Sequence, residues 1–286
     1  MEMKSDIFIS HGLFVVLVLY NTNLKDSETY KSIVQNNKVI KLKGIIYDNS
    51  QTQQNIEGFQ NLGEFEYVHN ENNPGLAFAY NYALKLALEK RCKWLLLLDQ
   101  DTFFTEEYFD NLNSDSNSDV VAYTPIVKSF NNKQSFISPS VLYLGGFRPI
   151  RNKILGIQKS HISGINSGTI INCNFMESIG GFNLGYPLDI LDHWYYREVY
   201  RKGKFVEVLN SEIYQNLSVE KNFEKNVSLN RYSKLLKAEY LFFKTGNFIQ
   251  YFFYKSRLIL RSIKQSSFND RNYYKLTLKT FFHFGK

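Results

Sequence analysis

A central, mostly parallel sheet flanked by helices, followed by a helical C-terminal appendage, is the fold class that this sequence of 286 residues predicts. Three observations lead there. Phe14–Leu19 is a continuous apolar, β-branched run, the pattern of a strand covered on both faces. Strand-like and helix-like segments then alternate as far as Trp94–Leu98, which is the rhythm of a βαβ sheet. Beyond Arg231 the strand pattern gives way to helical segments that interleave basic and aromatic residues.

Each element follows in order. The polar loop Tyr20-Asn21-Thr22-Asn23 ends the first strand, and Lys25–Gln35 can form a helix. Val39–Tyr47 reads as a second strand closing on Asp48-Asn49-Ser50, and Phe65–Val68 as a weaker third. Gly75–Lys90 predicts a helix with Leu76, Ala79, Tyr80, Ala83, Leu84 and Ala87 on one stripe. Trp94–Leu98 is the next buried strand and stops at Asp99-Gln100-Asp101, so polar residues gather where open α/β sheets place their ligand crevice. Past a strand at Val120–Thr124 the pattern turns mixed, with a hairpin expected through Phe136–Leu144, a turn at Gly145-Gly146 and a helix from about Leu191 to Lys202.

Composition narrows the class. A chain of this length buries a large core, and five prolines with no low-complexity run leave little room for disorder. Cys92 and Cys173 stand far apart without zinc or disulfide spacing, which suits a reducing, cytoplasmic setting. The apolar run near the N-terminus is too short to span a bilayer, and the residues before it lack the basic start of a signal peptide. The net charge of +7 is uneven: from Lys225 onward thirteen Lys and Arg face only Glu239 and Asp270. That asymmetry predicts an anionic partner for the tail, a membrane surface or a polyanion. No nucleic-acid-binding module is recognisable, so nucleic acid is not expected.

Two carboxylates at a strand mouth, Asp99 and Asp101, can share one hard cation with diphosphate oxygens. A solvated strand-end turn would show the same two residues. A nucleotidyltransferase also uses paired carboxylates, but no Gly-rich triphosphate loop is present.

Taken together, Tyr20-Asn21, Tyr47-Asp48-Asn49-Ser50, the segment Asn73–Asn81, Leu98–Thr102, Asn166–Ile171, Ile179–Asn183 and Leu188–Trp194 resemble glycosyltransferase family 2, in particular its bacterial rhamnosyltransferase-like branch. The resemblance reaches about Ser218, three quarters of the chain. It implies a GT-A fold over residues 1–222, with a nucleotide-sugar-binding half at about 12–125 and an acceptor half at 126–222, leaving 223–286 as the appendage. It implies an inverting, Mn2+- or Mg2+-dependent transfer of a hexose, rhamnose being the branch's commonest association. The donor would be a nucleotide-diphosphate sugar and the acceptor a glycan or lipid-linked glycan of surface-polysaccharide synthesis, met in the cytoplasm or at the inner face of the membrane.

The resemblance also assigns roles. Tyr20 would border the base and Asp48 would hydrogen-bond it, although Asp-Asn-Ser also makes an Asx-turn. Gly75, Asn81 and Gln100 would line the donor, Gly75 by close backbone approach or merely as a helix-start residue. Asp99 would face ribose and metal, and Asp101 would be the principal metal ligand. Asp192 would be the base that deprotonates the acceptor, with an N-cap carboxylate as the competing role. Asp189, three residues earlier on a similar helical face, would flank the acceptor with His193 and Trp194, the last equally suited to the core. Relatives carry a metal-binding His where this chain has Gln215, a poorer ligand for transition metals. That departure keeps a catalytically weakened nucleotide-sugar-binding or scaffolding protein as the alternative. The aromatic basic tail suits an anionic bilayer, packing under the body, or a homo-oligomer interface.

Overall fold

A computed structural model describes residues 12–36, 41–112, 118–215, 223 and 227–282. The chain divides into two compact units. The first takes the described residues of Met1–Ser140, Pro149–Pro187 and Leu191–Asn216. The second takes those of Val141–Arg148, Leu188–Ile190 and Leu217–Lys286.

In chain order the elements are β1 (Leu13–Leu19), α1 (Glu28–Asn36), β2 (Leu42–Asp48), β3 (Gly63–His69), α2 (Leu76–Glu89), β4 (Trp94–Asp99), β5 (Thr102–Phe104), α3 (Glu106–Asp110), β6 (Val120–Ser129) and β7 (Phe136–Ser138). Then follow β8 (Ser140–Tyr143), β9 (Gly146–Pro149), β10 (Gly156–Gln158), β11 (Ile170–Asn172), α4 (Cys173–Ser178), α5 (Leu191–Arg201) and β12 (Phe205–Gln215). Three helices complete the chain: α6 (Leu229–Lys244), α7 (Phe248–Gln265) and α8 (Asn272–Phe282).

The main sheet runs in the order β10-β12-β6-β11-β4-β1-β2-β3, with β5 on β12 and β7 on β6. β3, β2, β1 and β4 are mutually parallel, and β11 enters antiparallel between β4 and β6. The chain steps outward from β1 to β3 and then returns to the other side of β1 as β4. Open α/β sheets place their ligand crevice at such a reversal, here at the carboxyl ends of β1 and β4.

All seven residues of β1 are buried, as the unbroken apolar run requires of a strand covered on both faces. Leu17, Leu96 and Leu98 share the core with Phe104 and Tyr108, whose rings meet edge-on at 4.9 Å. Cutting Leu96 to Ala would cost about 2–5 kcal/mol, because so dense a layer leaves a cavity rather than closing up.

Three element expectations change. The helix expected over Lys25–Gln35 is a 3-10 turn, Leu24–Asp26, followed by α1. Ser27 divides them: its Oγ accepts the Tyr30 N–H at 3.2 Å, an N-cap bond that starts a new helix. The second strand begins at Leu42, and the Val39 end of the expected range lies outside the described residues. Phe136–Leu144 is not a hairpin on itself: β7 pairs with β6, while β8 pairs with β9 around Leu144-Gly145, both at positive φ.

In the second unit, α7 carries its buried residues on one side. Phe243 stacks on Tyr254 at 4.6 Å, and Arg261 forks onto Glu239 with bonds of 2.8 and 2.9 Å. Tyr232, Gln265 and Thr277 close a buried hydrogen-bond network, so these polar groups stay satisfied away from water. Among the described residues no helix is long and apolar enough to cross a membrane.

Candidate active site

The crevice is built by anchoring loops, beginning with the turn after β4. The backbone carbonyl of Asp99 accepts from the Thr29 hydroxyl, and the Asp99 N–H donates to Ser167 Oγ at 3.2 Å. Ser167 Oγ bonds Thr102 Oγ1 at 2.7 Å. Ser27 Oγ donates to the Gln100 carbonyl at 2.8 Å. The turn from Asp99 to Thr102 is thus held by α1 on one side and by the segment before β11 on the other. These bonds fix the backbone path of the turn.

Within that frame, Tyr80 of α2 donates to Asp99 Oδ1 at 3.0 Å. Its phenol is held well above its ordinary pKa by burial first, then by the charges of Asp99, Asp192 and Asp101. One hydroxyl therefore feels three carboxylates. Asp99 itself is pushed up to about 7, by burial above all, then by Asp101, with Asp192 adding to the repulsion and Tyr80 opposing it. The acids from β4, the following turn and α5 share one field. Asp192 accepts the His193 N–H at 2.7 Å through Oδ1, as expected for a carboxylate in the first turn of a helix.

Gln215, the last residue of β12, reaches this group because the strand register sets it opposite Thr102. It is buried and donates from Nε2 to Asp101 Oδ1 at 2.8 Å, while its Oε1 is buried with no hydrogen-bond partner. An orphaned amide oxygen beside two repelling carboxylates is an acceptor set that a hard divalent cation would satisfy. Asp99, Asp101 and the Gln215 amide therefore fit Mg2+ or Mn2+. Among the described residues no group of three or more His, Cys, Asp and Glu could hold a metal ion.

Other residues picked out by sequence divide into those at the mouth and those consumed by the fold. Tyr20 is exposed at the end of β1. Its N–H donates to Gln100 Oε1 at 2.7 Å, and Gln100 Nε2 returns to the Tyr20 carbonyl and to Thr22 Oγ1. Gln100 thus clamps the Tyr20 loop rather than standing open. Asp48 is fully buried, accepting from Ser50 N, Gln54 N and the Tyr67 hydroxyl, so the Asx-turn describes it. Asn81 turns away as well: Nδ2 donates to the Phe182 carbonyl at 2.8 Å and Oδ1 accepts the Phe182 N–H at 2.7 Å. It staples α2 to the Gly180-Gly181 turn, so both ends of the amide expected to meet phosphate or sugar are engaged with the chain's own backbone.

Gly75 does allow close backbone approach, but to Pro187. At φ +97° a Cβ would stand 2.3 Å from the Pro187 carbonyl oxygen. On the acceptor side, Trp194 is core, its ring stacked on Tyr186 at 6.3 Å, and His193 Nδ1 bonds Ser163 Oγ at 2.5 Å. Asp189 is corrected further. Ile190 at φ +68° breaks the chain before α5 starts, so the three-residue helical spacing to Asp192 does not apply. Asp189 belongs to the second unit and pairs with Arg231 at 3.6 Å.

Sequence reasoning missed Tyr80 as a polar participant, since it counted as one member of an apolar stripe. The available signal was a large, hydroxyl-tipped ring among Ala77, Ala79, Ala83 and Ala87.

Solved structures of TarS from S. aureus resemble the chain. One matches at 14% identity with a TM-score of 0.50, over 94% of this chain and 55% of that one. TarS 1–349 in complex with UDP matches at 14% identity and a TM-score of 0.48, over 90% of this chain and 72% of that one. At such identity the first likeness speaks to the fold alone, and the mixed sheet with its flanking helices is of the GT-A type. No curated protein matches the chain. The family model for glycosyl transferase family 2 matches residues 15–175, from within β1 into α4 and through both carboxylates of the β4 turn. Because that match takes in more than half of the chain, the protein belongs to glycosyl transferase family 2.

Proposed function

We propose that the protein is an inverting transferase that moves a hexose from a nucleotide-diphosphate sugar to a hydroxyl of a growing surface glycan. The observation that carries this reading is the gathering of Asp99, Asp101 and Asp192 within the field of one Tyr80 hydroxyl, at the reversal point of the sheet. The family supplies the reaction class.

In this mechanism the acceptor oxygen attacks the anomeric carbon from the face opposite the diphosphate. The acceptor C–O bond forms as the bond from the anomeric carbon to the diphosphate oxygen breaks, and the configuration inverts. Asp192 receives the hydroxyl proton, the task of a general base. Tyr80 keeps Asp99 oriented, and Gln100 fixes the Tyr20 loop so that its exposed ring can border the nucleotide base. Asp101, Asp99 and Gln215 would hold a divalent cation, whose chemistry is to neutralise charge developing on the leaving diphosphate.

Release of nucleotide diphosphate from a panel of nucleotide sugars, rhamnose donors included, tests the reading. We expect one donor to be turned over with Mn2+ or Mg2+ and not with chelator. Metal-dependent nucleotide binding without turnover across donors and glycan acceptors would favour a second reading, a weakened nucleotide-sugar binder. The bond from Gln215 to Asp101 motivates it, since it occupies a carboxylate oxygen that a cation would otherwise take.

A further inference from the structure

We propose that α7 is a docking surface for an anionic phospholipid bilayer, lying in the membrane plane along its length. Its inner face is already occupied within the second unit: Tyr254 and Leu258 are buried, and Gln265 closes the network with Tyr232 and Thr277. The opposite face is apolar and open. Phe248 is 80% exposed, Phe252 60%, Leu260 67% and Ile263 63%. At 100° per residue these four, together with Ile249 and Ile259, fall within one stripe about a third of the helix circumference wide. A stripe running fifteen residues along an α-helix is about 22 Å long, enough to rest on many lipids rather than to fill one pocket.

Charge selects the occupant. The sequence of α7 holds four cations and no carboxylate. Two of them serve the fold: Arg261 forks onto Glu239, and Lys255 donates to the carbonyls of Thr280 and Phe281. Arg257 and Lys264 remain exposed, and their helical positions put both along one border of the stripe. An open apolar face bordered by cations is the pattern of an interfacial helix, with rings and aliphatic side chains among the acyl chains and cations among the phosphates. An antiparallel second copy of the helix would set cation against cation along that border, whereas anionic headgroups would neutralise it, so the bilayer fits better. This surface belongs to the second unit and the carboxylates proposed for transfer to the first, and vesicle binding can be measured without any turnover.

The test is flotation of the full chain with phosphatidylcholine vesicles, with and without phosphatidylglycerol. Binding should require phosphatidylglycerol and weaken as salt rises. Phe252→Asp/Leu260→Asp, at exposed positions that leave the core intact, should lower partitioning by more than roughly tenfold. Arg257→Glu/Lys264→Glu should lower it by roughly fivefold or more per residue. Circular dichroism checks that each variant remains helical. Three results would each overturn the proposal: equal binding to neutral vesicles, full binding by the stripe variant, or a dimer in solution that the stripe variant dissociates while vesicles bind neither form.

Discussion

Replacing Asn81 with Ala separates a structural staple from a ligand-binding amide. Asn81 makes two bonds to one backbone unit, donating to the Phe182 carbonyl at 2.8 Å and accepting the Phe182 N–H at 2.7 Å. A typical hydrogen bond contributes about 0.5–1.5 kcal/mol net, and a stranded buried partner costs about 1–3 kcal/mol. Losing both bonds at this half-buried position should therefore destabilise the first unit by about 2–3 kcal/mol. In a unit of this size each kcal/mol lowers the Tm by about 2–4 °C, giving a fall of about 4–12 °C. Calorimetry measures the transition, and nucleotide titration in the presence of Mn2+ reads binding separately. If the staple describes Asn81, the Tm falls while nucleotide affinity below the transition changes little. An unchanged Tm with affinity lost tenfold would refute the reasoning and return the amide to the donor.

Two further outcomes follow from the same geometry. Gln215→His should tighten Mn2+ binding by roughly tenfold, since imidazole is the better ligand for transition metals, and calorimetric titration reads it directly. Unchanged affinity would place Gln215 outside the donor set. His161 lies against Tyr200 at 5.2 Å and is pushed down to about 4 by burial first, then by His193, Arg197 and Arg201. Between the ordinary value of 6.5 and that depressed one the unfolded chain binds more protons, so this contribution is fully present above pH 6.5 and is lost as pH falls toward 4. The slope stays below about 1.4 kcal/mol per pH unit, and urea midpoints should show it flattened in His161→Gln. Equal slopes in the two proteins would contradict the assignment.

The parallel half of the sheet was legible because β1 and β4 are unbroken apolar runs, and both faces of each are indeed buried. The hairpin was misplaced because β7 and β8 find different partners, and pairing with the distant β6 leaves no local signature. Three-residue strands such as β5 are too short to show a period. At the site, the sequence located the strand-end carboxylates but not the direction of neighbouring polar groups. Asp48 and Asn81 have the chemistry to meet a ligand, yet both face their own backbone, a difference decided by rotamer and loop path. Asp189 shows the limit of helical spacing, since a single residue at positive φ cancels it. Tyr80 shows the converse: a ring on a buried stripe can carry its hydroxyl into a polar cluster.

The central claim is that Asp192 works in the same crevice as Asp99 and Asp101. Asp192→Asn tests it, since the amide oxygen can still accept the His193 N–H. With the metal and the donor that the wild type uses, transfer should fall by roughly 10²–10⁴-fold, and affinity for the nucleotide diphosphate should remain within about twofold. Transfer at the wild-type rate, or affinity lost along with it, would contradict the account.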